Sequence, residues 1–213
     1  MVRVVVLGAG TPLGQEVVED LVFRGHHPTA VLDGEPVQDA HQPYPVDLAY
    51  GDITDTRWLA STVATTEAVV DVLSVSRKQV AAARARTATR YLVAAMTAHR
   101  VHRYVGLAPH HLYPVPGDST KTAYVRQQLR QTLRPGGIAH TRDRFQMITG
   151  SGLSWTIVRT PVLSAGPARG VRHVHLRPGP HRRASLTQQD AARFLAAQVL
   201  ETSLLWTSPL ISN

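Results

Sequence analysis

The 213-residue chain has no cysteine, which excludes disulfides, thiolate catalysis and Cys-ligated zinc or iron–sulfur centres. Long hydrophobic runs are missing too: nothing approaches the roughly 18 uninterrupted apolar residues of a membrane span. The opening MVRVVVLGAG runs into glycines without the small-residue cleavage site of a secretory leader. A cytoplasmic protein is the expectation. Aromatic residues are only 6% of the chain, so the core must be built from Val, Leu, Ala and Ile. Lysine is nearly absent, since Lys78 and Lys121 are the only two among 23 basic residues.

Charge of one sign is scarce in each part of the chain. Residues 1–71 hold three Arg against eleven acidic residues, and residues 72–213 hold the other twenty basic residues against four acids. The basic side chains are scattered, with no run of five or six and little aromatic interleaving to stack bases. That composition argues against nucleic acid as a partner.

What is present begins with a near-continuous β-branched run, Val2 and Val4 to Leu7, read as a strand buried on both faces. It ends in Gly8-Ala9-Gly10-Thr11-Pro12-Leu13-Gly14. Leu13, Val17, Val18, Leu21 and Val22 then fall on one helical face opposite Gln15, Glu16, Glu19 and Asp20, and Gly25 stops the helix. Strand, glycine turn and amphipathic helix open a dinucleotide-binding βαβ unit, in which glycines let a pyrophosphate reach the helix N-terminal amides. The spacing here is G-x-G-x-x-x-G, with Leu13 where the common fingerprint has its third glycine. A second strand, His27 to Leu32, ends at Asp33, placed to accept the ribose hydroxyl hydrogens of an adenosine and to repel a 2′-phosphate. NAD is the expected cofactor, with NADP as the second option.

The alternation continues with strands at Val46–Tyr50, Ala68–Leu73 and Arg103–Leu107. A short helix carries Trp58, Leu59 and Val63. A long one spans residues 78–99, with Val80, Thr87, Tyr91, Leu92 and Ala95 facing inward. The fold expected is α/β, a doubly wound parallel sheet in one domain. Residues 109–140 read as an insertion or lid, and residues from about 160 to 213 as a small substrate-side lobe. A helix near Arg144–Thr149, a strand at Trp155–Val158, weak strands near 171–176 and 205–212, and a helix from Gln188 to Leu200 complete the chain. His173 and His175 have no third ligand at a fitting spacing, so no metal site is expected.

The segments VVVLGAGTPLG, VLD, YGDITD, VVDVLS, VHRYVGL, SGLSWTIVRTPVL and SLTQQDAARFLAAQVLE together resemble the atypical, extended-type short-chain dehydrogenase/reductases. Within them the chain is similar to the NAD(P)-binding NmrA-like and biliverdin reductase B-like proteins, over essentially its whole length except residues 112–140. The resemblance implies a Rossmann fold in which Gly8, Gly10, Thr11, Pro12, Leu13 and Gly14 form the phosphate turn. It implies that Asp33 chooses the cofactor, that Asp52 and Ile53 hold the adenine, and that Leu73, Ser74 and Val75 pass under the adenosine ribose.

The same resemblance exposes departures. The family's Ser after the fifth strand falls at Ala108 or Pro109, and its Tyr-x-x-x-Lys dyad falls near Gly137 and Thr141. Tyr124 opens Tyr-Val-Arg-Gln-Gln, with Gln128 in place of Lys, so the usual lowering of the phenol pKa is lost. Catalytic residues therefore stay unassigned, with His111, His140 and Tyr124 as candidates and His110 beside them. The implied activity is an NAD(P)-dependent reductase acting on a small organic substrate. A non-catalytic NAD-binding sensor and a redox-silent isomerase or cyclase remain open, as does the choice between monomer and homodimer.

Overall fold

A computed structural model describes residues 1–34, 46–73, 79–109, 135–176 and 185–213. The elements in chain order are β1 (Arg3–Leu7), α1 (Pro12–Phe23), β2 (His27–Asp33), β3 (Asp47–Gly51), α2 (Thr56–Val63) and β4 (Ala68–Asp71). They continue with α3 (Gln79–Ala98), β5 (Arg103–Pro109), α4 (Pro135–Thr149), β6 (Ser154–Thr160), β7 (Leu163–Ser164), β8 (His173–His175), β9 (Leu186–Thr187), α5 (Gln188–Ala197) and β10 (Leu210–Ser212).

Eight strands form one sheet in the order β3-β2-β1-β4-β5-β6-β10-β8, parallel except where β8 runs antiparallel to β10. The order reverses between β1 and β4, the crevice where doubly wound sheets bind their ligands. Period-two alternation assigns the strand residues to two layers. Val4 and Val6 pack toward α1 and α5, while Val5 and Leu7 pack toward α2, α3 and α4. All four are fully buried. Burying an aliphatic side chain of this size contributes about 1.5–3 kcal/mol, so β1 is the spine of both cores.

The helices follow the expected periodicity with one change of phase. On α3 the buried seam is Ala82, Ala85, Ala88, Thr89, Leu92, Ala95 and Met96, while Val80, expected inward, is 81% exposed. Val80 lies five residues before Ala85, about 140° round the helix at 100° per residue. The α1 helix ends as Gly25 suggested: Gly25 has φ 76° and donates to Val22 O, and His26 N closes back to Leu21 O. Of the C-terminal residues, β10 and β8 extend the main sheet, β7 and β9 pair separately, and α5 packs on α1. Of the segment expected as a lid, Pro109 ends β5 and residues 110–134 fall outside the described residues. Its remainder is the start of α4. Among the described residues no helix is long and apolar enough to cross a membrane.

Gly14 is where helix and strand touch. A Cβ there would stand 2.2 Å from Gly8 O and 2.7 Å from Ala9 Cα, both backbone atoms that cannot swing aside. Gly14→Ala should therefore cost about 2–3 kcal/mol, in the range of core overpacking. In a chain of this size that is a melting-point loss of roughly 5–10 °C. A thermal melt followed by circular dichroism checks it, and an unchanged midpoint would contradict the close contact.

Candidate functional site

The site is built on the carboxyl ends of β1 to β4. Gly8 leaves β1 with φ 84°, a conformation that favours glycine, and lies against the chain leaving β4: a Cβ would be 3.0 Å from Leu73 N. Thr11 then caps α1. Its Oγ1 donates to Gly8 O at 2.8 Å and accepts from Gly14 N at 3.1 Å. Capping chemistry thus explains a hydroxyl residue at position 11 of the turn.

Gly14 supplies the close packing and Gly10 the open face. A Cβ on Gly10 would meet only Leu32 Cδ2, at 3.5 Å. Pro12 has no N–H and Gly14's is held by Thr11, so Leu13 carries the first-turn amide that the turn itself does not use. An exposed turn with open space above a helix N-terminus fits the pyrophosphate of a dinucleotide.

Asp33, ending β2, and Asp52, just beyond β3, stand at the next two strand ends. Asp52 Oδ1 accepts from Thr54 N at 2.7 Å and Thr54 Oγ1 at 2.6 Å. Those two hydrogen bonds, with Arg84 nearby, hold its carboxyl below the usual carboxylate range. Ile53 is buried beneath the same loop. Arg84 from α3 reaches both carboxylates, with Nη2 2.5 Å from Asp33 Oδ1 and 2.9 Å from Asp52 Oδ1. The hydrogen bond to Asp33 is the main cause of its raised pKa, against a smaller opposing effect of burial. Nothing in the local pattern around Asp33 announces this cation, which is 51 residues away.

A second group that sequence reasoning missed lies under Leu73. Asp71, fully buried at the end of β4, receives Arg144 Nη2 at 3.0 and 3.2 Å and the Tyr104 hydroxyl at 2.9 Å. It also accepts from Leu73 N at 3.0 Å, and Arg144 reaches on to Thr89 Oγ1 and Leu73 O. The network fixes the backbone where β4 hands the chain toward the ribose position. An Asp within the apolar run AVVDVL was the one visible signal.

Burial, with the neighbouring Asp71 carboxylate, pushes the Tyr104 phenol well above its ordinary value. Tyr104 therefore stays a neutral hydrogen-bond donor. The unfolded chain ionises this phenol near pH 10, whereas the folded chain holds its proton to higher pH. Stability should consequently be unaffected by this group below pH 10 and fall above it. Tyr104→Phe should remove that alkaline loss, which urea titrations at pH 9 and 11 would measure. An identical drop in the variant would exclude Tyr104 as its source.

The structure brings Gly8, Gly10, Thr11, Pro12, Leu13, Gly14, Asp33, Asp52, Ile53 and Leu73 to neighbouring strand ends. Ser74, Val75, His110, His111 and Tyr124 lie outside the described residues. His140 is half-buried on α4, Ala108 is fully buried at the end of β5, and Thr141 is 2% exposed. Ala108 or Pro109 thus stands where the resemblance would put Ser, and Thr141 near where it would put Lys.

The sequence matches a family described as NAD(P)H-binding over residues 8–202, which contains the whole glycine turn and the strands β2 to β4. The chain belongs to that NAD(P)H-binding family. It binds NAD(P)H on a Rossmann fold, and solved structures agree on that fold. A short-chain dehydrogenase/reductase from Veillonella parvula, in complex with NADP, superposes with TM-score 0.74 at 15% identity, covering 100% of this chain and 95% of that one. A protein put forward as an NADH-flavin reductase from Streptococcus pneumoniae gives 0.78 at 14% identity, covering both chains fully. One put forward as an NAD-dependent epimerase/dehydratase from Bacillus halodurans gives 0.78 at 17% identity, over 100% and 94%. A search of curated proteins found no match.

Proposed function

We propose that the protein is an NAD(P)H-dependent reductase of the atypical short-chain dehydrogenase type, acting on a small organic substrate in the cytoplasm. The observation that carries this reading is the open face of Gly10 above the capped N-terminus of α1, beside the Asp33 and Asp52 carboxylates. The nicotinamide, when bound, supplies the hydride. The chain's own residues do the positioning. The glycine turn and Leu13 amide would hold the pyrophosphate, and Asp33 the ribose. The Asp71–Arg144–Tyr104 group keeps Leu73 in place beneath them.

Ala108 cannot donate a proton. The reading therefore draws the proton from solvent or from one of His110, His111, His140 and Tyr124. Reduction of a flavin or another planar acceptor goes with solvent protonation.

A second reading, a dinucleotide-binding sensor, is favoured by Ala108 or Pro109 at the end of β5 and Thr141 on α4, where the resemblance would place a Ser and the dyad's Lys. The two part in one experiment. Calorimetric titration with NADH and NADPH is paired with a panel of flavins, quinones and aldehydes followed at the nicotinamide absorbance. Binding with turnover of any acceptor supports the reductase. Binding with no turnover across the panel supports the sensor, and no binding excludes both.

A further inference from the structure

Arg84 sits in the second turn of α3, and its guanidinium closes across the ends of β2 and β3. Besides the two Nη2 contacts, its Nε donates to Asp33 Oδ2 at 3.2 Å, so Asp33 is held by a two-pronged fork. The three side chains are 40%, 42% and 52% exposed, for Arg84, Asp33 and Asp52 in turn. Exposed pairs of this kind contribute little to stability. The bridge thus has no evident purpose as a staple, and it lies at the strand end where the adenosine ribose is expected.

Its donor arithmetic points to a ligand. A guanidinium has five N–H donors, and three are spent on the two aspartates, which leaves the Nη1 pair unspent on them. A carboxylate accepts at about four lone-pair sites, so Asp33 retains capacity for ribose hydroxyls while it holds Arg84. Without Arg84 the strand ends would present, among the described residues, two carboxylates and no cation, a setting hostile to a 2′-phosphate. With it, a guanidinium charge whose Nη1 donors are not spent on the aspartates stands among them, suited to phosphate oxygens.

We propose that Arg84 admits the 2′-phosphate, so that one ribose site takes both NAD(H) and NADP(H), with Asp33 serving the hydroxyls and Arg84 the phosphate. The proposal rests on the NAD(P)H-binding reading and adds to it the residue that sets the choice. Asp33 alone would make the site selective for NAD(H). Paired, it becomes the latch that holds Arg84 ready.

The test is calorimetric titration of wild type, Arg84→Gln, Arg84→Lys and Asp33→Asn with four probes: NADH, NADPH, 5′-AMP and adenosine 2′,5′-bisphosphate. Arg84→Gln should shift the NADPH-to-NADH affinity ratio toward NADH by at least fivefold, and the bisphosphate-to-AMP ratio alike. Arg84→Lys should recover part of the shift, because it keeps the charge and loses the fork. Asp33→Asn should move the ratio the other way. Since Arg84 is half exposed, the variant is expected to fold, and a circular dichroism spectrum confirms it. A ratio that moves less than fivefold in Arg84→Gln overturns the proposal while NADH still binds. Tighter binding of both dinucleotides to Arg84→Gln also overturns it, marking the guanidinium as an obstruction. Failure of wild type to bind either dinucleotide overturns the cofactor reading itself.

Discussion

Arg144→Met is expected to lower the unfolding free energy by about 3–5 kcal/mol, the usual cost of removing one partner of a buried ion pair. Arg144 and Asp71 side chains are 6% and 0% exposed, so neither charge is relieved by water. Tyr104 and Leu73 N would still donate to the orphaned carboxylate. They are neutral dipoles and cannot replace a cation. Thr89 and Leu73 O would lose their donor as well.

The cost belongs to the broken pair rather than to the pair's net worth. Apolar replacement of both partners is often neutral in comparable sites. Asp71→Leu with Arg144→Met should therefore recover a large part of the loss. Recovery will be incomplete, because the Tyr104 hydroxyl and Leu73 N–H are left without their acceptor, at about 1–3 kcal/mol each. Urea unfolding of the two single variants and the double variant measures all three terms. An Arg144→Met loss below about 1 kcal/mol would show that water reaches Asp71.

Gly10→Val should abolish dinucleotide binding and leave the fold standing. A Cβ at Gly10 makes only ordinary contact with Leu32 Cδ2, at 3.5 Å, so the branched side chain has room on the free protein. That room is the space a pyrophosphate needs to approach the N-terminus of α1. Two charge-assisted hydrogen bonds lost at about 1.5–3 kcal/mol each amount to roughly 3–6 kcal/mol. At 1.4 kcal/mol per decade that is about 10² to 10⁴ in affinity.

The glycines separate binding from stability. Gly10→Val should lose NADH with an unchanged melting point, whereas Gly14→Ala should lose melting point first, because its Cβ meets the Gly8 backbone. Titration calorimetry and thermal melts on the same two variants test this division. Retained NADH affinity in Gly10→Val would remove the phosphate from this turn.

Local chemistry made the first third of the chain readable in advance. The β-branched run of β1, the 3.6-residue spacing of α1 and the glycines between them are short-range patterns, and each reports its own environment. Asp33 was legible for the same reason, as an acidic residue at a strand end, whereas Asp52 was implied only by the family resemblance. Where the period was carried over a long helix without a fixed phase it slipped, and Val80 came out in solvent.

By itself the sequence determined the alternation of strand and helix, the parallel sheet, the glycine turn and the carboxylate at the end of β2. Each of these is announced by patterns among residues close together in the chain. Only the tertiary structure decided the polar partners: Arg84 with Asp33 and Asp52, and Asp71 with Arg144 and Tyr104. These pairs are separated by between 32 and 73 residues. Charge carries no periodicity along a chain, and any of twenty-three basic side chains answers to any carboxylate on composition alone. The sheet order lays β2 and β3 beside β1 and brings α3 across their ends, and that packing selects which cation meets which anion.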